Sequence, residues 1–427
     1  MRSRTLVHMQ GIPISRTDGQ TLSEQAWRAY WLRARDQMLL EPGVAYLNTG
    51  SYGPTPRPVV EQLLDYRRRL AAQPVDFLWR QMPELLWQAR QELALFLHTR
   101  PERIVLTANV TAAINLVAQS LTLATPGEIV LTDQEYPAMV YVWERVAQRA
   151  GLTLRLAPLP EHPRTEDELL EAIVCRLTAR TRLLFFSHVL YTTGMVLPAA
   201  RICQEARRRG IVTVVDGAHA PGMIGLDVTT IPCDFYCANL HKWLLAPIGS
   251  GFLWFSEDNR DRLAPLVVSW GYHDPWQEPD RRDVHGSTAR LRFVEHWGTR
   301  DPCPWLTIPA AIGFWRQWGA QRIRRRHLQL GDYVRQRLTG LPGLRCATPE
   351  QAELRGAMTA YWTPAGPVER WRHDLWHVYR VEVPWIERPQ GCLLRISTHF
   401  YTQELEIERL AEALAALLPT QDAHRAG

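Results

Sequence analysis

The chain has 427 residues, of which 46% are hydrophobic and 22% charged, and its formal net charge is +5. These values are ordinary for a globular protein of about two or three domains, and the charge is too small to indicate a nucleic-acid partner. No apolar run is long enough to cross a bilayer, and the N-terminus lacks the apolar core of a signal peptide. We therefore expect a cytoplasmic protein with no membrane partner.

Between residues 103 and 255, apolar strand-like runs alternate with helical patterns. The strand candidates are 103–106, 128–132, 152–157, 182–187, 211–215, 235–237 and 251–255, and the helix candidates between them are 112–123, 138–150, 166–177 and 198–209. Almost entirely apolar runs are typical of strands that are covered on both faces. The alternation predicts an α/β fold with a mainly parallel seven-stranded sheet sandwiched by helices.

The pattern changes after residue 255. Residues 256–304 are irregular and rich in Pro, Trp, Asp and Arg, a helical stretch covers 308–338, and a last amphipathic helix lies near 403–418. A further helix is expected near 22–38. We expect a large domain at 51–305, a smaller α+β domain at 306–427, and an N-terminal segment, 1–50, that packs with the smaller domain.

Cysteine usage indicates neither disulfides nor a metal site. The seven cysteines lack the spacing of a disulfide framework, so we expect reduced and mostly buried thiols. Cys233 and Cys237 are close in sequence, but no partnering Cys or His pair follows at zinc-site spacing.

Of the 49 lysine and arginine residues, one is a lysine, Lys242. Arginine replaces lysine at most solvated sites, but it cannot act as an amine nucleophile because the guanidinium stays charged. The composition therefore favours a Schiff base between Lys242 and a carbonyl compound. Chance loss of the other lysines explains the count equally well, so the residues around Lys242 must decide.

Three segments at predicted strand ends carry polar residues, where α/β sheets bind ligands. Asn109 and Thr111 begin a helix that could bind a phosphate, although helix capping alone explains them as well. Asp216 ends an apolar strand and needs a cationic partner if it is buried. His219 follows three residues later and could face the same site. The alternative is that Asp216 caps a helix and His219 lies on the surface. Lys242 follows the next strand, so one strand–helix unit should separate it from Asp216.

A phosphate site, a buried aspartate and a reactive lysine together match pyridoxal phosphate. The phosphate would anchor the cofactor, Asp216 would keep its ring nitrogen protonated, and Lys242 would hold its aldehyde.

The order and spacing of seven motifs give the chain a clear resemblance to a known family. It resembles the class V aminotransferase family of fold-type-I pyridoxal-phosphate enzymes, and within it the isopenicillin N epimerase-like proteins. The motifs are YLNTGSYGPTP at 46–56, DFLWR at 76–80, TANVT at 107–111, SHVLYTTGMVLP at 187–198, DGAH at 216–219, HKW at 241–243 and GTRDP at 298–302. The resemblance implies the PLP-transferase fold, an amino-acid substrate and a homodimer with shared active sites.

The resemblance also implies roles for single residues. Lys242 would form the Schiff base and take the substrate α-proton, Asp216 would pair with the ring nitrogen, and His219 would bond the phenolic oxygen. Arg395 would hold the substrate α-carboxylate, with Asn48 as a second substrate-binding residue. The other residues expected at the cofactor are Asn109, Val110, Thr111, Asn239 and His241 around the phosphate, Tyr136 stacked on the ring, His188 near the phenolic oxygen, and Thr299 reaching the neighbouring subunit's phosphate. For His188 and His219, the alternative is a polar side chain whose hydrogen bonds are all made within the protein. For Tyr136, the alternative is ordinary packing in the core.

The sequence leaves the reaction open. Cysteine desulfurases of this family carry a reactive Cys near the carboxylate-binding Arg, whereas Cys392 precedes Arg395 and is expected in a strand. We therefore favour an epimerase-like enzyme acting at the α-carbon of an amino acid or an amino-acid-containing peptide, with a C–S β-lyase or an aminotransferase as alternatives. A non-catalytic binding protein of this fold is the alternative of a different class. A dinucleotide oxidoreductase is disfavoured because no GxGxxG follows an early strand.

Overall fold

The computed structural model describes residues 24–270, 272, 278 and 280–418. Residues 1–23 of the predicted N-terminal segment, most of 271–279 in the irregular stretch 256–304, and residues 419–427 lie outside these ranges. Within them, no helix is both long enough and apolar enough to span a membrane.

The strands of the described residues form three sheets. They span, as β1 to β13 in chain order, Ala45–Tyr46, Ile104–Thr107, Glu128–Thr132, Thr153–Ala157, Thr181–Ser187, Val212–Asp216, Phe235–Asn239, Gly251–Phe255, Arg345–Cys346, Met358–Trp362, Val381–Glu382, Trp385–Arg388 and Gly391–Ser397. The largest sheet has seven strands in the order β2-β8-β7-β6-β5-β3-β4. Its pairs are parallel except those of β8 with β2 and β7, which confirms the predicted mainly parallel sheet.

Helices connect the strands and cover the large sheet. They span Glu24–Arg35, Arg57–Ala72, Pro74–Asp76, Met82–Phe96, Val110–Ser120, Pro137–Ala150, Glu166–Val174, Ala199–Arg208, Ala289–Glu295, Cys303–Leu306, Ile308–Trp318, Ala320–Leu338, Val368–His377 and Glu404–Leu417, with a π-helix at Phe77–Gln81. In β5, Leu183 and Phe185 pack in one apolar cluster and Leu184 and Phe186 in another. Each of the four side chains is 0% exposed, so both faces of the sheet are covered.

Two local predictions were wrong. The helical stretch expected over 308–338 is two helices, because Gly319 between them has a φ of +77°, which breaks the helical path. The connection between Asp216 and β7 holds a 3-10 turn, Val228–Thr230, instead of an α-helix. The shorter connection still brings the ends of β6 and β7 side by side.

The remaining strands form smaller sheets in the C-terminal part of the chain. β12, β13, β10 and β9 make an antiparallel sheet, and β1 pairs in parallel with β11. The N-terminal strand thus joins a strand that lies more than 300 residues later in the sequence. The domain limits near residues 50 and 305 stay a prediction.

Candidate active site

Three neighbouring strands end at one edge of the large sheet. β5, β6 and β7 run parallel, and their register pairs Ser187 with Asp216 and Asp216 with Cys237. Lys242 lies three residues beyond Asn239, the last residue of β7. Because the carboxyl ends of parallel strands share an edge, Asp216 and Lys242 lie together there.

The backbone around Lys242 is held by a close contact with the motif at 46–56. Gly53 donates its N–H to the carbonyl oxygen of His241 at 2.8 Å. A Cβ atom at Gly53 would lie 2.0 Å from the carbonyl oxygen of Lys242, so a larger residue does not fit. Leu245 has a φ of 61°, which is uncommon for a residue with a side chain. Strain of this kind is concentrated at functional sites, where the surrounding structure holds the backbone in place.

The amine of Lys242 contacts His219. Its Nζ lies 3.0 Å from Nε2 of His219. Desolvation, and then the positive charge of Arg395, lower the pKa of Lys242 to about 7, and the carboxylate of Asp216 opposes this shift. A large share of the amine is therefore unprotonated and nucleophilic at neutral pH.

Asp216 is a buried carboxyl group beside this amine. It is 4% exposed, and it accepts a hydrogen bond from the backbone N–H of Ala218 at 2.8 Å. Burial raises the pKa of Asp216 to about 6, whereas the Ala218 N–H and the charge of Lys242 lower it. A cationic group bound next to Asp216 would stabilise its ionised form.

The helix that begins at Val110 has its N-terminus at the end of β7. The N–H of Val110 donates to Oδ1 of Asn239 at 2.8 Å, and the N–H of Ala112 donates to the side chain of Asn109 at 2.9 Å. Asn109 is therefore the helix cap that the alternative explanation expected. In the described ranges, the amide and hydroxyl groups of Thr111 donate to no other protein group. Both groups are therefore available to donate hydrogen bonds to a bound anion.

His188 and His241 both bond to protein groups. The Nδ1 atom of His188 lies 2.8 Å from the hydroxyl oxygen of Tyr236, and Nδ1 of His241 lies 3.3 Å from the carbonyl oxygen of Ser250. Burial lowers the pKa of each histidine to about 4, so both rings are neutral at pH 7. Their contacts with a cofactor stay predictions.

Tyr136 precedes the first turn of the helix Pro137–Ala150 and is 47% exposed. Its ring packs edge-on against Tyr191 at a centroid distance of 5.4 Å. The carbonyl oxygen of Tyr191 accepts a hydrogen bond from Nη1 of Arg395 at 2.7 Å. A side chain this exposed does not fit the core-packing alternative, and Tyr191 connects it to the predicted carboxylate-binding residue.

Arg395 is a buried cation with polar but uncharged partners. It is 4% exposed, and its Nη2 donates to Ser51 Oγ at 3.0 Å and to Asn48 Oδ1 at 3.3 Å. Asn48 is oriented in turn by donating to Glu382 at 2.8 Å. Burial lowers the pKa of Arg395 to about 10, so it stays charged at pH 7. Its Nε has no partner among the described residues, and a buried charge of this kind favours an anionic ligand.

Thr299 is exposed. Next to it, the Arg300 guanidinium stacks on Trp305 at 3.8 Å from the ring centroid. Trp305 donates its indole N–H to the carbonyl oxygen of Thr107 at 3.0 Å. The segment that follows the irregular stretch 256–304 is thereby fixed to β2, the strand that precedes the predicted phosphate site.

Sequence reasoning missed two buried residues of this region. Trp243 donates its indole N–H to Nδ1 of His219 at 3.2 Å. Glu135 accepts from the backbone and hydroxyl groups of Ser187 at 3.1 and 2.5 Å, and burial raises its pKa to about 7. Two features of the sequence could have indicated them: Glu135 lies just after a strand, and Trp243 belongs to the HKW motif.

The chain matches the aminotransferase class-V family over residues 45–365. The chain belongs to the aminotransferase class-V family. The predicted family is thereby confirmed.

Relatives at higher identity agree with this assignment. The chain is 53% identical to isopenicillin N epimerase of Amycolatopsis lactamdurans over 91% of its own length and 98% of that protein. It is 52% identical to isopenicillin N epimerase of Streptomyces clavuligerus, with the same coverage. Among solved structures it is similar to a mutant of C-DES with glycine covalently linked to the PLP cofactor, with a TM-score of 0.78 and 26% identity over 89% of this chain and 98% of that one. C-DES is described as a cystine C–S lyase.

Proposed function

We propose that this protein is a pyridoxal-phosphate-dependent, isopenicillin N epimerase-like enzyme that acts at the α-carbon of an amino acid or an amino-acid-containing peptide. One observation carries the proposal: the amine of Lys242 lies 3.0 Å from Nε2 of His219 and interacts with a buried carboxyl group, Asp216, and a buried cation, Arg395. The 53% identity to an isopenicillin N epimerase over almost the whole of that protein supports the choice of reaction.

The residues present fit pyridoxal phosphate. Thr111 keeps its amide and hydroxyl groups for a phosphate at a helix N-terminus. A Cβ atom at Gly251 would lie 2.9 Å from Cα of Asn109, so glycine allows the backbone near this helix start to close up. The raised pKa of Asp216 suits a protonated ring nitrogen as its partner. When bound, the cofactor supplies an electron sink that acidifies the substrate α-proton.

Each residue has a defined task in this proposal. Lys242 would present its free amine to the cofactor aldehyde and, with substrate bound, would take the α-proton on Nζ. Asp216 holds a proton at the ring nitrogen. Arg395 holds the substrate carboxylate with the N–H groups that Tyr191, Asn48 and Ser51 do not use. His219, whose Nε2 lies 3.0 Å from Nζ of Lys242, would form a hydrogen bond with the cofactor's phenolic oxygen.

Desulfurase chemistry, in which a cysteine of the enzyme becomes the persulfide, is disfavoured for this site. Cys392 lies in β13, three residues before Arg395, and burial raises the pKa of its thiol. A thiol with a raised pKa is a poor nucleophile. A C–S β-lyase remains the second candidate, because C-DES, a cystine C–S lyase, is 26% identical in sequence to this chain and has a similar fold.

Product analysis in deuterium oxide tests the proposed reaction. With isopenicillin N, we expect both epimers to form with deuterium at the inverted carbon, and we expect Lys242→Ala to yield neither. Release of a persulfide from L-cystine would favour the lyase, and a keto acid would favour the aminotransferase. Recovery of every substrate unchanged and undeuterated would contradict catalysis at the α-carbon and favour a binding protein.

The proposal includes a homodimer with shared active sites, in which the exposed Thr299 lies at the partner's cofactor. Mixing two inactive variants tests this arrangement. Lys242→Ala and Thr299→Asp subunits, unfolded and refolded together, should regain activity because one site of the mixed dimer has both native residues. A mixture that stays as inactive as its components would contradict shared sites.

A further inference from the structure

We propose that Trp243 is a positioning residue that fixes the tautomer of His219, so that an N–H group and not a lone pair faces the amine of Lys242. The consequence for cofactor chemistry rests on the proposed function, whereas the tautomer itself depends on protein groups alone.

The hydrogen bonds of His219 determine where its proton lies. Trp243 Nε1 lies 3.2 Å from Nδ1 of His219, and Nε2 of the same ring lies 3.0 Å from Nζ of Lys242. An indole N–H can only donate, so Nδ1 must accept. A neutral imidazole has one donor and one acceptor nitrogen, and Nε2 therefore carries the hydrogen.

The orientation of this N–H acts on the protonation of the lysine. A free amine at Lys242 accepts from Nε2–H of His219. An ammonium group there would meet the same N–H with no lone pair to receive its proton, so the pair favours the free amine. Protonation of the ring is opposed as well, because Nδ1 would then present a hydrogen to the indole N–H of Trp243.

The indole of Trp243 is held in place by its surroundings. It is 0% exposed, stacks on His399 at a centroid distance of 5.5 Å with an interplanar angle of 14°, and meets His327 edge-on at 5.8 Å. His399 accepts the N–H of Phe400 on Nδ1, so its Nε2 donates to the carbonyl oxygen of Trp243 at 3.0 Å. Ring and backbone of Trp243 are thus fixed by one histidine that is itself restricted to a single tautomer.

Other charged groups near the pair act independently of Trp243. Burial, and then the charges of Lys242, Arg395 and His241, lower the pKa of His219 well below its usual value. Asp216 raises the pKa of Lys242 and Arg395 lowers it. A test must therefore change the indole N–H while it leaves these groups in place.

The single lysine makes the test direct. In the full chain without cofactor, lysine labelled with ¹³C at Cε gives a Lys242 signal whose pH titration reports its pKa. We expect Trp243→Phe to raise that pKa by about one unit, the size of one altered hydrogen bond. Trp143→Phe is the matched control: Trp143 is also 0% exposed, and its indole N–H has no partner in the described part of the chain. It should leave the pKa of Lys242 unchanged.

Long-range ¹H–¹⁵N spectra report the tautomer directly, with His219 identified by its loss in His219→Gln. In the wild-type protein we expect hydrogen on Nε2 and none on Nδ1. In Trp243→Phe the hydrogen should move to Nδ1, because Nδ1 no longer has to accept from the indole and Nε2 can then accept from the amine of Lys242. His219→Gln should keep the low pKa of Lys242, because its amide can accept from Trp243 and donate to Lys242.

Each measurement can overturn the proposal. A wild-type His219 with hydrogen on Nδ1 refutes it even if Trp243→Phe does not fold. An unchanged tautomer and lysine pKa in a folded Trp243→Phe protein refute it as well. Because no cofactor is present, neither result depends on the proposed reaction.

Discussion

Replacing Arg395 by glutamine tests how the protein would hold a substrate. Arg395 has five N–H donors, of which three bond Tyr191, Asn48 and Ser51. Two donors remain for a carboxylate. Since a hydrogen bond to a charged group contributes about 1.5–3 kcal/mol, the loss of both predicts a 10²- to 10⁴-fold weaker interaction, at about 1.4 kcal/mol for each factor of ten.

A pair of ligands isolates the carboxylate. L-Alanine and ethylamine both carry a primary amine, but ethylamine lacks the carboxylate, and their binding to the cofactor-loaded protein is followed by the change in cofactor absorption. Arg395→Gln should weaken L-alanine by about 10²-fold or more relative to ethylamine. The ratio matters because Arg395 also lowers the pKa of Lys242, which affects both ligands equally.

A second buried arginine serves as the control. Arg326 is 4% exposed and pairs with Glu404 at 2.6 Å, on a helix of the C-terminal part of the chain. Arg326→Gln should leave the ratio of the two affinities unchanged. If Arg395→Gln weakens both ligands to the same extent, or neither, the assignment of Arg395 to the carboxylate is refuted.

Three further predictions concern charge and stability. Only the free amine of Lys242 reacts with pyridoxal phosphate, and its pKa is near 7. The rate at which pyridoxal phosphate adds to the cofactor-free chain should therefore rise about tenfold per pH unit below 7 and level off above it. A rate independent of pH between 5 and 8 would contradict this prediction. Asp216→Asn removes a charge that raises this pKa, so the titration of the labelled lysine should move to lower pH, and a move upward would contradict the assigned contact. Arg90→Met leaves Glu295 buried without its partner at 2.7 Å and should cost about 3–5 kcal/mol in the free energy of unfolding, measured by urea denaturation. Arg80→Met removes an exposed ion pair with Asp76 and should cost less than about 1 kcal/mol.

The sequence predicted the large sheet well because the physics there is local. Continuous apolar runs such as 183–186 are stable only when both faces are covered, and these residues are in fact fully buried. The helix break at Gly319 was not predicted, because the 308–338 stretch keeps a helical pattern on both sides of it. A positive φ at one glycine is a property of the packed chain.

The positions of the candidate residues in the fold could be predicted from the sequence, but their contacts could not. Asp216 and Lys242 could be placed at strand ends, since parallel strands bring their carboxyl ends to one edge. The Trp243–His219 bond depends on two side-chain orientations that are set by tertiary packing. For the same reason, the sequence could not show that the side chains of Asn239 and Asn109 accept the other backbone N–H groups at the helix start. The N–H of Thr111 is thereby left without a protein acceptor.

Borohydride reduction of the cofactor-loaded protein tests the central claim most directly. Lys242 is the single lysine of the chain, so the chain terminus is the only other primary amine. Reduction followed by peptide mass mapping should place one cofactor-derived mass on the peptide that contains Lys242 and none on the N-terminal peptide. A label on the chain terminus alone, or no label on a protein that has bound pyridoxal phosphate, would contradict the assignment of Lys242.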